Sequence, residues 1–181
     1  MGDTEDIPKG AFIKTRAHWF RSSSIESKGN IMNPREIVQA LLDSVQRGDF
    51  QKARFLVSND CQFRDGSAEP IRREAWMSIN KNLKKAFPDL DYHFHVHRVD
   101  GLDGGVVKIS AELKGTHSGV LDLSPVGLGV TPATDKSFAT PREHGRVTIK
   151  GDKVASWVIE PIEGGGLMGI LNQLGIAVPA M

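Results

Sequence analysis

The sequence predicts an α+β domain, with N-terminal helices packed on a curved, mostly antiparallel sheet around a small-molecule pocket. Three observations predict it. Apolar residues recur at helical spacing between residues 33 and 87. The period switches to alternation at Tyr92. Turn signals at Asp103-Gly104-Gly105 and Gly151-Asp152 then join the later strands as hairpins. A parallel sheet would instead alternate strand and helix throughout. Helices covering one face of a curved sheet leave a conical cavity beneath them.

The first helix starts sharply. Asn33 is a good N-cap, Pro34 fits the first helical position, and Glu36 completes a capping-box pattern. Ile37, Leu41, Leu42 and Val45 fall on one face, and Gly48 ends the run. Ala53, Leu56 and Val57 predict a short second helix, and Cys61-Gln62-Phe63 a brief strand before a turn at Asp65-Gly66. A third helix is predicted from Ile71 through Trp76, Ile79, Leu83 and Phe87, stopped by Pro88. Tyr92, Phe94 and Val96 share one face of the next strand, and His93, His95 and His97 the other. Val107, Ile109, Ala111 and Leu113 alternate with Lys108, Ser110, Glu112 and Lys114, the pattern of a half-buried strand. Pro125, Gly127, Gly129, Pro132 and Pro141 predict a long loop over 118–142 with at most a short extended piece. Val147 and Ile149 mark another strand, and Gly151-Asp152 turns it into one holding Val154 to Ile159. A glycine run then leads into an apolar tail from Leu167 to Val178.

Composition narrows the partners. The 181 residues suit one domain and can bury a sizeable core. Lys plus Arg is 23 and Asp plus Glu 22, so there is no basic footprint for nucleic acid and no polybasic membrane signal. No apolar stretch approaches the ~18 residues of a membrane span. A small apolar ligand or substrate fits this balance better than a polyanion. Cys61 is the single cysteine, which precludes an intrachain disulfide and reads as a small buried residue rather than a nucleophile. The acidic start lacks a secretory signal, and Asp6 stands where a myristoylation motif wants Ser or Thr. The expected location is cytoplasmic. Residues 1–31 read as an N-terminal extension with little structure of its own, although Phe12, Ile13, Trp19 and Phe20 form an apolar cluster within it. Residues 32–181 read as a single domain.

Four short segments carry a family resemblance. Ala86-Phe87-Pro88-Asp89-Leu90 resembles the fPDl segment of SnoaL-like polyketide cyclases, and Gly115-Thr116-His117-Ser118-Gly119 their GTHxG segment. Gly151-Asp152-Lys153-Val154 resembles their dGKi turn, with Trp157 matching a tryptophan that often follows. Leu171-Asn172-Gln173-Leu174-Gly175 resembles the closing LxQLG. The matches are collinear over about residues 33–178. The resemblance implies the nuclear transport factor 2-like fold, shared with ketosteroid isomerases and limonene epoxide hydrolases, and often dimers or tetramers. Those cyclases usually carry an acid/base Asp shortly after the tryptophan. Here Glu160 is the nearest carboxylate and does not align cleanly.

Two residues are candidates for catalysis. His117 keeps the parity of Val107 to Leu113, so a regular strand would point it inward, where an imidazole serves as acid/base or polarises a carbonyl. The competing reading is a structural histidine bonded to the backbone. Glu160 shares parity with Val154 and Val158, and a cavity-facing carboxylate would have a raised pKa suited to removing a C–H proton. The competing reading is an exposed strand-end glutamate. Trp76, Phe94, Asp65 and Trp157 are expected to line the pocket.

Other motifs read as structural. His93, His95 and His97 extend about 13 Å along a strand, too far for all three to share a metal ion, and read as a solvated or interface row. Gly164 to Gly169 matches G-x-G-x-x-G but lacks the following strand and acidic residue, so it reads as a flexible joint. Asp89 reads as a turn or cap residue.

Two functions follow. One is a cyclase or isomerase that uses no metal or organic cofactor, with Glu160 as base and His117 as partner in aldol cyclisation or isomerisation of an apolar carbonyl compound. The alternative is a non-catalytic ligand-binding or oligomerisation module of the same fold. A homodimer is expected in either case.

Overall fold

The computed structural model describes residues 32–65, 69–100 and 105–177. The extension, the tip of the predicted 103–105 hairpin and the end of the apolar tail lie outside the described residues.

Helix α1 (Pro34–Arg47) forms as its signals predict. Asn33 accepts from the Glu36 backbone N–H, the Glu36 carboxylate accepts from the Asn33 N–H, and Gly48 closes the helix at φ 72°. Its apolar stripe is fully buried, and each such side chain contributes about 1.5–3 kcal/mol. Helix α2 (Phe50–Leu56) is capped by Asp49. Helix α3 (Arg73–Ala86) begins two residues later than the periodicity predicts, because β2 (Ile71–Arg72) pairs with β1 (Val57–Arg64) first.

The remaining strands are β3 (His95–Asp100), β4 (Val106–Ala111), β5 (Lys114–Thr116), β6 (Leu121–Asp122), β7 (Val130–Thr131), β8 (Ser137–Ala139), β9 (Glu143–Lys150) and β10 (Lys153–Ile159). Helix α4 (Gly166–Leu174) follows. The main sheet runs β2-β1-β10-β9-β4-β3. Only the β1–β10 pairing in it is parallel. The architecture is α+β.

Two expectations need correction. Residues 118–142 are not one long loop: β6 pairs with β7, β8 pairs with β5, and Leu121, Leu123 and Phe138 are buried. Prolines and glycines between these short pieces hide them from a periodicity reading. The strand expected from Tyr92 begins at His95, since His93 takes φ 42°, outside the extended region. The alternation still seats Tyr92 and Phe94 on the inner side.

A register shift in β10 sets the positions that follow it. Val154 pairs with Ile149 and Ser156 with Thr148, so Ala155 is extra and side-chain parity reverses there. Val154 and Trp157 therefore both face inward, and Val158 faces outward.

Candidate active site

Between the inner sheet face, α3 and the start of α4 lies a cavity of about 150 Å³. Its wall is a continuous aromatic surface. Phe63 and Trp76 stack with centroids 4.2 Å apart, Trp157 lies 5.5 Å from Trp76 and 6.1 Å from Phe94, and Phe94 stacks on Tyr92 at 5.0 Å. Helix α4 closes another side with Leu167 and Ile170. Trp76, Phe94, Asp65 and Trp157 all line this cavity. The β10 bulge is what turns Trp157 into it.

One carboxylate is buried in this wall. Glu143 opens β9 opposite Ala111, and Glu143, Gly145, Val147 and Ile149 form the inward set of that strand. Its residue exposure is only 6%. Oε1 accepts the Gly166 backbone N–H at 2.5 Å, at the first turn of α4. Burial pushes the Glu143 carboxyl above its ordinary pKa; the Gly166 N–H opposes that and the charge of Asp65 adds to it. A carboxylate so placed is a stronger base than one in water.

Neutral polar groups complete the site. The Tyr92 hydroxyl donates to Asn80 Oδ1 at 3.0 Å, and Asn80 Nδ2 donates to the Trp76 carbonyl at 2.9 Å. Burial pushes the Tyr92 hydroxyl's pKa up, so it stays protonated. An amide carries two N–H groups, so Asn80 keeps one for a ligand.

His117 does not line the cavity. Strand β4 ends at Ala111, and β5 belongs to a separate two-stranded pair, so the parity that predicted an inward His117 does not carry across. Its ring is fully buried, 5.1 Å from that of Phe87, with Nδ1 3.0 Å from Thr134 Oγ1. Among the described residues Nε2 has no hydrogen-bond partner. The surrounding segment is a clamp. Ser118 and Gly119 donate backbone N–H groups to the Ala86 carbonyl, and Asp89 Oδ1 accepts from the Thr116 N–H at 2.8 Å. The Ala86–Leu90 and Gly115–Gly119 segments thus hold each other.

Glu160 does not face the cavity either. The parity reversal in β10 places it on the outer sheet face, in a groove with His97, Lys108, His144 and Arg146, and it is exposed. The base and partner expected from the sequence therefore do not share a cavity. His93, His95 and His97 stand as a row with adjacent rings 4.9 and 6.3 Å apart. Among the described residues no group of three potential ligands is arranged to hold a metal. Burial pushes the Cys61 thiol up to about 12, which makes it a poor nucleophile.

Glu143 is the site residue that the sequence reading missed. Its signal was present: extending the Val147–Ile149 alternation back four residues puts a charged residue on the apolar face. Pro141-Arg142 looked like a loop and ended the strand too early.

The fold and this site define an α+β protein with an aromatic-lined cavity containing one buried carboxylate. The chain belongs to the SnoaL-like polyketide cyclase family, whose model matches residues 35–159. Among solved structures it is similar to a provisionally assigned polyketide cyclase of Pseudomonas putida KT2440, at 15% identity and TM-score 0.58 over 81% of this chain and 99% of that one. It is similar to IdmH of Streptomyces antibioticus, also provisionally assigned as a polyketide cyclase, at 19% identity and TM-score 0.57 over 80% and 100%. AclR of Streptomyces galilaeus, provisionally assigned as a hydroxylase, matches at 16% identity and TM-score 0.55 over 80% and 82%. These identities establish the fold alone, and the reaction has to be argued from the site. A search among curated proteins returns no match.

Proposed function

We propose that this protein performs acid/base chemistry on a carbonyl compound bound in the cavity, with Glu143 as the base. The observation that carries the proposal is a carboxylate buried in a mostly apolar, aromatic wall. Natural cores rarely bury a carboxylate without a use for it.

The ionised Glu143 oxygen takes a proton from the carbon next to the substrate carbonyl. The C–H electron pair moves into the carbonyl, leaving an enolate. The second N–H of the Asn80 amide, whose orientation the Tyr92 hydroxyl fixes by donating to Asn80 Oδ1, donates a hydrogen bond to the enolate oxygen. The carbanion then attacks a second carbonyl, which is aldol cyclisation, or takes a proton at another carbon, which is isomerisation. Glu143 returns its proton in either case. All of these transfers use the chain's own groups. In this reading His117 packs against Phe87 away from the cavity and touches no substrate, and Glu160 takes no part.

One observation favours the non-catalytic alternative. Glu143 is already bonded to Gly166, so its burial also serves to anchor α4. The two readings separate in heavy water. With 2-tetralone as probe, proton NMR should show exchange of the α-hydrogens faster with the protein than in buffer. Glu143→Gln keeps an acceptor for Gly166 and removes the base, and should slow exchange by about 10²–10⁴-fold. Exchange no faster than in buffer would leave the binding module as the better account.

The same reading takes the molecule as a cytoplasmic homodimer. No described helix is long and apolar enough to cross a membrane. The outer sheet face carries charges of both signs, Lys108 and Arg146 beside Glu160, which lets it pair with a second copy of itself.

A further inference from the structure

We infer that the substrate is a neutral carbonyl compound of one or two rings, and that the α4 wall excludes larger fused skeletons. This rests on the cavity being the reaction site and goes further by naming what fits it.

The first argument is volume. The cavity holds about 150 Å³. An apolar cavity of about that size takes up a single benzene ring, and pockets for drug-sized ligands run from about 300 to 1,000 Å³. One ring fills the enclosed part, and a second fits if it extends into the open mouth; a third or fourth ring would have to lie outside the aromatic and α4 walls.

The second argument is that the walls are held in place. Phe63, Tyr92 and Trp157 are almost fully buried: Phe63 stacks on Trp76, Tyr92 stacks on Phe94 and bonds Asn80, and Trp157 meets Phe63, Trp76 and Phe94 in tilted and edge contacts, so each is held where it stands. The α4 side is pinned at both ends. Its first turn bonds Glu143 through Gly166, and beyond it Leu171 and Leu174 are buried while Gly175 closes the helix at φ 73°. Leu167, partly exposed at the start of that helix, is the α4 residue placed to limit ligand size.

The third argument is charge. Among the described residues the acidic and basic side chains lining the cavity, apart from the Tyr92 hydroxyl, are Asp65 and Glu143 against Arg64, and Arg64 also bonds the Gln62 side chain on the outer face. A carboxylate ligand would meet two carboxylates and one shared guanidinium. A neutral ketone avoids that repulsion and gains the aromatic wall.

The test measures affinity and does not require turnover. Trp76 and Trp157 line the cavity, so ligand entry should quench intrinsic fluorescence; calorimetry on the full chain supplies the dissociation constants. The series is acetophenone, 2-tetralone, anthrone and a tetracyclic quinone, with 2-acetylnaphthalene and 2-naphthoate as the charge pair. The two smaller ketones should bind at least about tenfold more tightly than anthrone or the quinone, and the naphthyl ketone about tenfold more tightly than the naphthoate. Leu167→Ala should bring anthrone closer to tetralone, and Leu167→Phe should weaken tetralone relative to acetophenone. Three or four rings binding as tightly as two, or no member of the series binding, overturns the inference. Hydrogen exchange measured beside the affinities separates the two claims. A size ranking with no hydrogen exchange in the wild type sinks the catalytic reading and leaves the filter standing. Exchange with no size ranking does the reverse.

Discussion

Glu143 Oε1 accepts the Gly166 backbone N–H at 2.5 Å, and that one bond joins the buried carboxylate of the cavity to the helix that forms its wall. Gly165, immediately before, has room only for hydrogen: a Cβ there would sit 2.7 Å from Ile162 Cγ2 and 3.0 Å from Glu143 Oε1. The three glycines at 164–166, read from the sequence as a loose joint, let the chain pass close to Glu143 and present a backbone N–H to it.

The ionisation of Glu143 should cost stability. Its folded pKa is raised, so between the unfolded value near 4.5 and the folded value the native state holds more protons than the unfolded one. Stability from this group is therefore full below about pH 4.5 and is lost as pH rises through the folded pKa. Glu143→Gln removes the loss. Thermal melts should show the variant gaining on the wild type from pH 4 to pH 7. A gap that shrinks over that range would mean that the ionised carboxylate is stabilised in the fold.

His117 should act in the opposite direction on the acid side. Burial lowers its pKa, although the charge of Asp135 opposes the shift. The unfolded chain then takes up a proton near pH 6.5 before the folded one does, so stability falls as pH drops from 6.5 through the folded pKa. His117→Phe, which keeps a ring against Phe87, should lose less of its melting temperature between pH 7 and pH 5 than the wild type loses. An equal loss would place the acid sensitivity elsewhere.

Gly145 is required by close approach within the sheet. A Cβ there would lie 2.7 Å from both the Val158 carbonyl oxygen and Ile159 Cδ1, and the carbonyl belongs to a paired strand that cannot step back. Gly145→Ala should cost about 1–3 kcal/mol in urea denaturation. Gly105→Ala is the control: its Cβ would meet the Ile149 carbonyl at an ordinary 3.5 Å, and it should cost clearly less.

Self-association through the outer sheet face predicts a dimer by sedimentation at micromolar concentration and neutral pH. Arg146 is exposed on that face beside Glu160. Arg146→Glu should shift the population toward monomer by reversing one charge of each two-fold pair. A monomeric wild type removes the dimer, and a dimer untouched by the substitution removes this face as its interface.

Local signals were legible in the sequence where the chain obeys one period. The capping box at Asn33–Glu36, the stripe of α1 and the alternations of Val107 to Leu113 and of Val147 and Ile149 each specify their element, and the order of those elements specifies an α+β fold. The site was legible in its aromatic part and at Asp65, and not in its buried carboxylate. Trp76 and Phe94 lie on regular faces, but Glu160 was misplaced by a single extra residue at Ala155, since one bulge moves every following side chain to the other face. His117 was misplaced because parity was carried across a break between two sheets. Glu143 was hidden by its neighbour Pro141. Bulges and breaks are set by pairing partners distant in sequence, which periodicity does not report.

The most direct test of the central claim is a crystal structure of the protein with 2-tetralone bound. The account predicts the ketone against Trp76 and Trp157, its α-carbon about 3–3.5 Å from a Glu143 carboxylate oxygen and its carbonyl oxygen within hydrogen-bond reach of the Asn80 amide nitrogen. A ketone held in the outer groove beside Glu160, or bound in the cavity with its carbonyl turned away from Asn80 and its α-carbon out of reach of Glu143, would contradict it.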